Sequence, residues 1–143
     1  MPQRTHIMLH HSATKDSGTV SWGAIEKFHK ETRGWRDIGY HAGVELVGDA
    51  YYALIGRSIM EQAAACPEGM MNVRALHVCC VGDYDVVAPS SGLLEVLVER
   101  VLVPWMRGFG IPPENIVGHQ DYNRGKSCPG RLFDLGVVRR MVR

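Results

Sequence analysis

Residues 73–81, VRALHVCCV, form a nearly unbroken run of apolar and β-branched side chains. Such a run predicts a strand that is covered on both faces. Residues 6–11, HIMLHH, are also short and apolar and predict a second strand. Because the first strand must be covered on both sides, the rest of the chain has to supply helices for two faces of a sheet.

The other segments carry the periodicity of helices and of shorter strands. Apolar residues at helical spacing predict a helix over residues 21–33, which Gly34 ends. A longer helix is predicted to begin at Ser90 or Ser91, and Pro104 should kink or end it. The remaining predictions are strands over residues 40–47, 51–55 and 114–118, a loop over 12–18, an irregular stretch over 56–72 and a closing helix after Pro129.

Strands that alternate with helices predict a three-layer α/β fold with the sheet as its central layer. The chain has 143 residues, so we expect residues 1–143 to form a single domain. Its net charge of +1 gives no reason to expect a nucleic-acid partner.

The N-terminal residues lack the charged and apolar regions of a signal peptide, and no apolar run reaches the ~18 residues that span a bilayer. We therefore expect a protein made in the cytoplasm, without stable membrane association. In that reducing compartment, cysteines are more often core residues or metal ligands than disulfides. The four cysteines are Cys66, Cys79, Cys80 and Cys128.

A polar segment with several glycines, residues 118–130, carries His119 and Cys128 nine positions apart. Imidazole nitrogen and thiolate sulfur are preferred zinc ligands, and three protein ligands leave a fourth position open for catalysis. His10 and His11 are candidates for the third ligand. They are neighbours on one strand and point to opposite faces, so at most one of them joins the metal, and the pattern alone does not say which.

A catalytic zinc site also needs a group that handles protons and a donor for the developing oxyanion. Lys126 lies two residues before Cys128, which brings its ammonium close to a metal held there; the alternative is a solvated loop lysine. Tyr40 begins a strand that could border the first strand, or it is a half-buried aromatic residue. A closed, structural zinc site is a further alternative, with Asp121 as the nearby candidate for a fourth ligand.

Four blocks of sequence, in order, resemble the zinc-dependent N-acetylmuramoyl-L-alanine amidases, which include the small bacteriophage lysozyme-type enzymes and share a fold with the peptidoglycan recognition proteins. The resemblance runs from about residue 6 to residue 134. The blocks are His10 to Lys15 (HHSATK), Gly34 to His41 (GWRDIGYH), Val78 to Gly82 (VCCVG), and Gly118-His119 with Lys126 to Gly130 (KSCPG).

The resemblance implies a mixed sheet flanked by helices and one zinc ion per chain, held by His10, His119 and Cys128. It selects His10 over His11. It also implies that Lys126 stabilises an oxyanion and that Tyr40 orients the attacking water or helps to move its proton. The implied reaction is hydrolysis of the amide between N-acetylmuramic acid and L-alanine in peptidoglycan or in a muropeptide.

Two positions depart from the family pattern. Cys66 lies about where the family often has a histidine, and His77 replaces a common glycine. We expect both to affect substrate contacts more than the zinc site, with His77 as a buried core histidine whose hydrogen bonds are satisfied. His41 is expected to be structural or to support the site, His29 to lie on the solvated surface, and Cys79 and Cys80 to pack as small apolar residues.

The resemblance also implies a biological setting. We expect a monomeric phage or prophage endolysin that acts on the cell wall after release across the membrane. The alternatives are an amidase that recycles muropeptides in the cytoplasm and a peptidoglycan-binding module without catalysis. Cys128 and Lys126 favour an enzyme over the binding module.

Overall fold

The computed structural model describes residues 3–14 and 21–143. Five strands form one sheet in the order β3-β2-β4-β1-β5. β1 is parallel to β4 and β5, β2 is parallel to β4, and β2 and β3 form an antiparallel hairpin, so the sheet is mixed. The strands are β1 (His6–His11), β2 (Ala42–Val47), β3 (Ala50–Ile55), β4 (Ala75–Cys80) and β5 (Ile116–Gly118).

The helices fall on both sides of this sheet. They are α1 (Trp22–Lys27), α2 (Met71–Arg74), α3 (Ser91–Val96), α4 (Val103–Phe109) and α5 (Leu135–Met141). Helix α1 continues as a π-helical turn (Phe28–Thr32), and a π-helical stretch (Leu97–Leu102) joins α3 to α4. Short 3₁₀ turns cover Glu68–Met70, Pro113–Asn115 and His119–Asp121. In the described part of the chain, no helix is long and apolar enough to cross a membrane.

Strand alternation divides the core into two faces. Ile7 and Leu9 of β1 point to the face covered by α3 and α5, with Leu93 and Val138 in the same cluster. Met8 lies on the opposite face with Met71 of α2, and α1 packs on that face through Trp22, which clusters with Cys79. Each face is thus buried, and the three-layer α/β prediction is confirmed.

Helix α1 packs closely on the sheet through Trp22. The hydroxyl of Ser21 caps the helix by accepting from the backbone N–H of Ala24. A Cβ on Gly43 would lie 2.4 Å from the Trp22 ring, so only glycine lets the indole rest on β2 at this point. On the other face, Ser90 caps α3 in the same way, because its hydroxyl accepts from the backbone N–H of Leu93.

The strand predictions are confirmed in place and order, but three of the strands begin two residues later than predicted. The predicted strand 73–81 covers only Ala75–Cys80, because Met71–Arg74 form the short helix α2. The predicted strand 40–47 begins at Ala42, so Tyr40 precedes it, and the predicted strand 114–118 begins at Ile116. In each case the first two predicted residues lie outside the sheet ladder, and Glu114 and Asn115 belong to the 3₁₀ turn before β5.

Pro104 does not end the long helix, which continues to Phe109. The π-helical stretch Leu97–Leu102 directly precedes it, and Pro104 occupies the first turn of α4. The helix is continuous at this point, and the backbone N–H of Val103 donates to the Val98 carbonyl, five residues back, so the wider π-helical turn accommodates the proline inside the helix. Gly110, with φ of 68°, then stops the helix in the left-handed conformation.

Candidate metal site

His10, His119 and Cys128 come together at the carboxyl ends of the neighbouring strands β1 and β5. His10 lies near the end of β1, and His119 follows directly after β5, the parallel neighbour of β1. Their candidate ligand atoms and the Cys128 sulfur all lie within 4.8 Å of one another. The adjacent ends of two parallel strands thus bring together residues that are more than a hundred positions apart in the sequence.

The donor set and its spacing fit zinc. The Nδ1 atom of His10 lies 3.6 Å from the Cys128 sulfur. Zinc–nitrogen and zinc–sulfur bonds of usual length at a tetrahedral angle place those two atoms about 3.6 Å apart. Two imidazoles and one thiolate are also the ligand types that zinc prefers, and they leave a fourth position available.

The electrostatic environment keeps these donors neutral when no metal is bound. Burial lowers the pKa of His10 well below its usual value, and His77 and His119 act in the same direction. Burial raises the pKa of the Cys128 thiol to about 11, against the lowering effect of the His11 backbone N–H and of Lys126. Metal binding must therefore displace the thiol proton, whereas the histidine needs to lose none.

His11 has a different task from His10. Its Nδ1 atom accepts from the backbone N–H of Tyr84 at 3.1 Å, on the other face of the strand. Its own backbone N–H donates to the Cys128 sulfur at 3.3 Å. His11 therefore supports Cys128 through its backbone, and its ring is absent from the donor groups that the described residues form.

Asp85 holds the loop that carries Cys128. One carboxylate oxygen accepts from the Ser127 hydroxyl at 2.7 Å and the other accepts from the backbone N–H of Arg131 at 2.8 Å. In addition, the Cys128 carbonyl accepts from the backbone N–H of Gln120 at 2.8 Å. The two donor-bearing segments are thereby bonded to each other and to the loop after β4. The pattern of the sequence did not indicate Asp85.

The three donors line a cavity of about 650 Å³ that also contains Tyr40 and Lys126. The ring centroids of Tyr40 and His10 lie 5.1 Å apart. Burial raises the pKa of Tyr40 well above its usual value, with Cys79 and Cys128 acting in the same direction. The phenol is therefore a proton donor at neutral pH. The Lys126 side chain is exposed, at the rim of the cavity.

Tyr40 reaches the site by a route that differs from the prediction. It precedes β2 rather than beginning it, and β4 separates β2 from β1, so its segment does not border the first strand. The His41 N–H donates to the His77 carbonyl, so the Tyr40 segment lies beside β4, and the Tyr40 ring packs near Cys79 on the face of the sheet that carries His10. His41, the next residue, points away and is buried, with hydrogen bonds to His77 and to the Glu61 carbonyl.

His29 is buried, and the prediction of a solvated position was wrong. Its Nδ1 atom accepts from the backbone N–H of Gly39 at 3.0 Å, and its ring packs against Trp35. Phe28, which the helical pattern placed on the apolar side, is 47% exposed and lines the cavity. His29 lies seven residues after Trp22, which is two turns of an α-helix, so both residues lie on the face of the helix that packs on the sheet.

Cys66 and Glu68 form a second donor group with His119, with candidate ligand atoms within 4.8 Å of one another. The buried Cys66 thiol lies 3.2 Å from a Glu68 carboxylate oxygen, and the pKa of the thiol is raised to about 12, by burial first and by Glu68 next. Cys66, which we expected to affect substrate contacts more than the zinc site, thus lies close to His119 as well. Asp121, the predicted fourth ligand of a closed site, instead accepts from the backbone N–H of Gly118.

His77 is buried and hydrogen-bonded, as predicted, but it also contacts the metal site. Its Nδ1 atom lies 2.8 Å from Nε2 of His10, and its Nε2 atom lies 2.8 Å from the Met71 carbonyl oxygen. The expectation that His77 bears mainly on substrate contacts is corrected by this direct contact. Cys79 and Cys80 are fully buried in the sheet, as expected.

The sequence matches the Amidase_2 family, described as N-acetylmuramoyl-L-alanine amidase, over residues 2–131. The chain belongs to this family. Among curated proteins it is 28% identical to peptidoglycan-recognition protein LB of Drosophila melanogaster over 136 residues, which is 90% of this chain and 56% of that protein. It is 32% identical to human N-acetylmuramoyl-L-alanine amidase over 114 residues, which is 78% of this chain and 19% of that protein.

Among solved structures, the N-acetylmuramoyl-L-alanine amidase LysC from Clostridium intestinale superposes with a TM-score of 0.83 at 21% identity. The match covers 98% of this chain and 85% of that one. At this identity the likeness establishes the fold, a mixed sheet flanked by helices. The chain spans about half the length of the Drosophila relative and a fifth of the human one, so it corresponds to one part of each.

Proposed function

We propose that this chain is a zinc-dependent amidase that hydrolyses the amide between N-acetylmuramic acid and L-alanine in peptidoglycan. The observation that carries the proposal is the group His10, His119 and Cys128, whose spacing fits zinc, at the wall of a cavity that also holds Tyr40 and Lys126. Family membership supplies the reaction class. Residues 1–143 are proposed to act as one catalytic domain with one zinc ion.

The metal, Tyr40 and Lys126 would each have a separate role in amide hydrolysis. Bound zinc lowers the pKa of a coordinated water and polarises a carbonyl. Tyr40 keeps its proton at neutral pH, so its hydroxyl orients the attacking water by hydrogen bonding and passes a proton as the reaction proceeds. The Lys126 side chain lines the cavity and would stabilise the negative charge that develops on the substrate carbonyl oxygen.

Two further residues of the cavity lining, Phe28 and Arg33, support a glycopeptide as its ligand. Phe28 offers exposed apolar area there, while Arg33 beside it offers a cation that can pair with a carboxylate of the stem peptide. Both polar and apolar contacts are needed for a substrate that combines a sugar with a peptide. We propose peptidoglycan or a muropeptide as the partner of this cavity.

A peptidoglycan-binding module without catalysis is the second candidate, because the Drosophila relative is named as a recognition protein. Cys128 separates the two: a binding module has no need of a thiolate beside two imidazoles. We further propose a monomeric endolysin of a phage or prophage that acts on the cell wall after release across the membrane. Recycling of cytoplasmic muropeptides is the alternative setting.

Digestion of purified peptidoglycan tests the activity. The zinc-loaded protein is incubated with the polymer and, in parallel, with soluble muropeptides, and the products are analysed by mass spectrometry. We expect free stem peptides that begin with L-alanine, and none after chelation of the metal. Polymer that is bound but uncut would refute the amidase and support the binding module, and cleavage of the soluble substrate alone would support recycling.

A further inference from the structure

His77 and His10 form a buried chain of hydrogen bonds that leads to the metal site. His77 Nε2 lies 2.8 Å from the Met71 carbonyl oxygen, and a carbonyl oxygen only accepts. His77 Nε2 must therefore carry the hydrogen. Both histidines are at most 1% exposed, so neither ring can exchange its partner for bulk water.

The hydrogen on His77 Nε2 determines the next bond in the chain. In a neutral imidazole the other nitrogen is an acceptor, so His77 Nδ1 presents a lone pair to His10 Nε2, which is 2.8 Å away. His10 Nε2 must then donate its hydrogen. This leaves the lone pair of His10 on Nδ1, the atom that lies 3.6 Å from the Cys128 sulfur.

We propose that His77 is a positioning residue for the metal, because it fixes His10 in the tautomer that offers Nδ1 to zinc. The inference rests on the metal site of the proposed function. Ligand histidines commonly donate their second N–H to a protein acceptor, which sets the tautomer and the ring orientation. A glycine at position 77 has no side chain to supply that acceptor.

The backbone around His77 makes the arrangement rigid. The His77 N–H donates to Nδ1 of His41 at 3.0 Å, and the His41 N–H donates to the His77 carbonyl at 2.9 Å. His41 Nδ1 is thus an acceptor, so its Nε2 must donate to the Glu61 carbonyl, 2.8 Å away. His41 thus fixes the backbone of His77, while the two ring bonds, to the Met71 carbonyl and to His10, fix the orientation of the His77 ring.

Three substitutions separate a tautomer-setting role from a purely structural one. His77→Asn places an amide oxygen near the Nδ1 position, where it can accept from His10. His77→Gln places its amide near the Nε2 position, where it can donate to the Met71 carbonyl. His77→Leu keeps a similar volume and removes both bonds.

The experiment measures zinc affinity by competition with a chromophoric chelator for the wild type and the three variants. We expect the Leu and Gln variants to bind zinc about 10–100-fold more weakly, and the Asn variant to stay close to the wild type. Wild-type affinity in the Leu variant would overturn the proposal. Zinc affinity that is retained in the Gln variant and lost in the Asn variant would also overturn it, because His77 would then act by anchoring α2. Equal losses of zinc affinity in the Asn and Gln variants would overturn it as well.

The ¹⁵N chemical shifts of the ring of His10 in the metal-free protein provide a second readout, which needs no activity and no folded Leu variant. We expect a pyrrole-type Nε2 and a pyridine-type Nδ1 in the wild type and in the Asn variant. A pyrrole-type Nδ1 in the wild type would overturn the inference. If the wild type binds no zinc although its His10 shows the expected tautomer, the proposed function fails while the inference about His77 stands.

Discussion

Replacing His41 with glutamine should reduce the sensitivity of the fold to acid. His41 is 2% exposed and uses both ring nitrogens in hydrogen bonds, one as acceptor from His77 and one as donor to the Glu61 carbonyl. Burial lowers its pKa from 6.5 to about 4. Between pH 6.5 and pH 4, His41 is therefore protonated in the unfolded chain but stays neutral in the folded protein.

The sign and size of the effect follow from this pKa difference. The folded-state pKa lies below the unfolded value, so the contribution is fully present above pH 6.5 and is lost as the pH falls toward 4. The complete loss amounts to about 3 kcal/mol, of which about 2 kcal/mol is already lost at pH 5. The Gln variant lacks this titration, although it starts less stable by roughly 1 kcal/mol for the changed hydrogen bonds.

Urea unfolding of metal-free protein at pH 7.5, 6, 5 and 4 measures the effect, with chelator present so that metal loss does not contribute. Between pH 7.5 and pH 5, the wild-type midpoint should fall by about 1 M urea more than that of His41→Gln. The other titrating groups are shared by both proteins and cancel in the difference. Parallel curves for the two proteins would refute the assignment of a neutral, buried His41.

The remaining predictions concern the site and one helix. Cys128→Ser should lower zinc content and activity together, whereas Cys66→Ser should retain zinc; full activity of the zinc-loaded Cys128 variant would exclude it as a ligand. Lys126→Ala should keep zinc and lower kcat by about 2.7–4 kcal/mol of transition-state stabilisation, and an unchanged kcat would make it an ordinary loop lysine. Gly108→Ala, in an exposed helix position with nothing within 4 Å of the added Cβ, should raise the free energy of unfolding by roughly 0.5–1 kcal/mol, and a lower melting temperature would contradict this.

The order of strands along the chain could be predicted, and His119 and Cys128 could be proposed as ligands, because these signals are local. The run around Val78 is apolar on both faces, and all of its residues in β4 are buried. His119 and Cys128 stand out as candidate zinc ligands by residue type and by their spacing of nine positions. The choice of His10 over His11 came from family resemblance, and the structure shows the physical difference: His11 already uses its ring nitrogen to accept from Tyr84.

The support of the site could not be predicted because it depends on contacts between distant segments. Glu68 reaches Cys66 and Asn123 from a 3₁₀ turn that has no sequence signature. Arg57, buried in the irregular segment, donates to three backbone carbonyls, and no periodicity marks it as a buried residue. His29 was placed incorrectly because its polar ring suggested a solvated position, although its spacing of seven residues from Trp22 puts it on the buried face of the helix.

X-ray absorption spectroscopy of the zinc-loaded protein tests the central claim most directly. The account predicts one sulfur at about 2.3 Å and two imidazole nitrogens at about 2.0–2.1 Å, with the fourth position filled by a light atom. Cys128→Ser should remove the sulfur signal, and Cys66→Ser should leave it unchanged. A shell without sulfur, or a sulfur signal that disappears with Cys66, would contradict the proposed site.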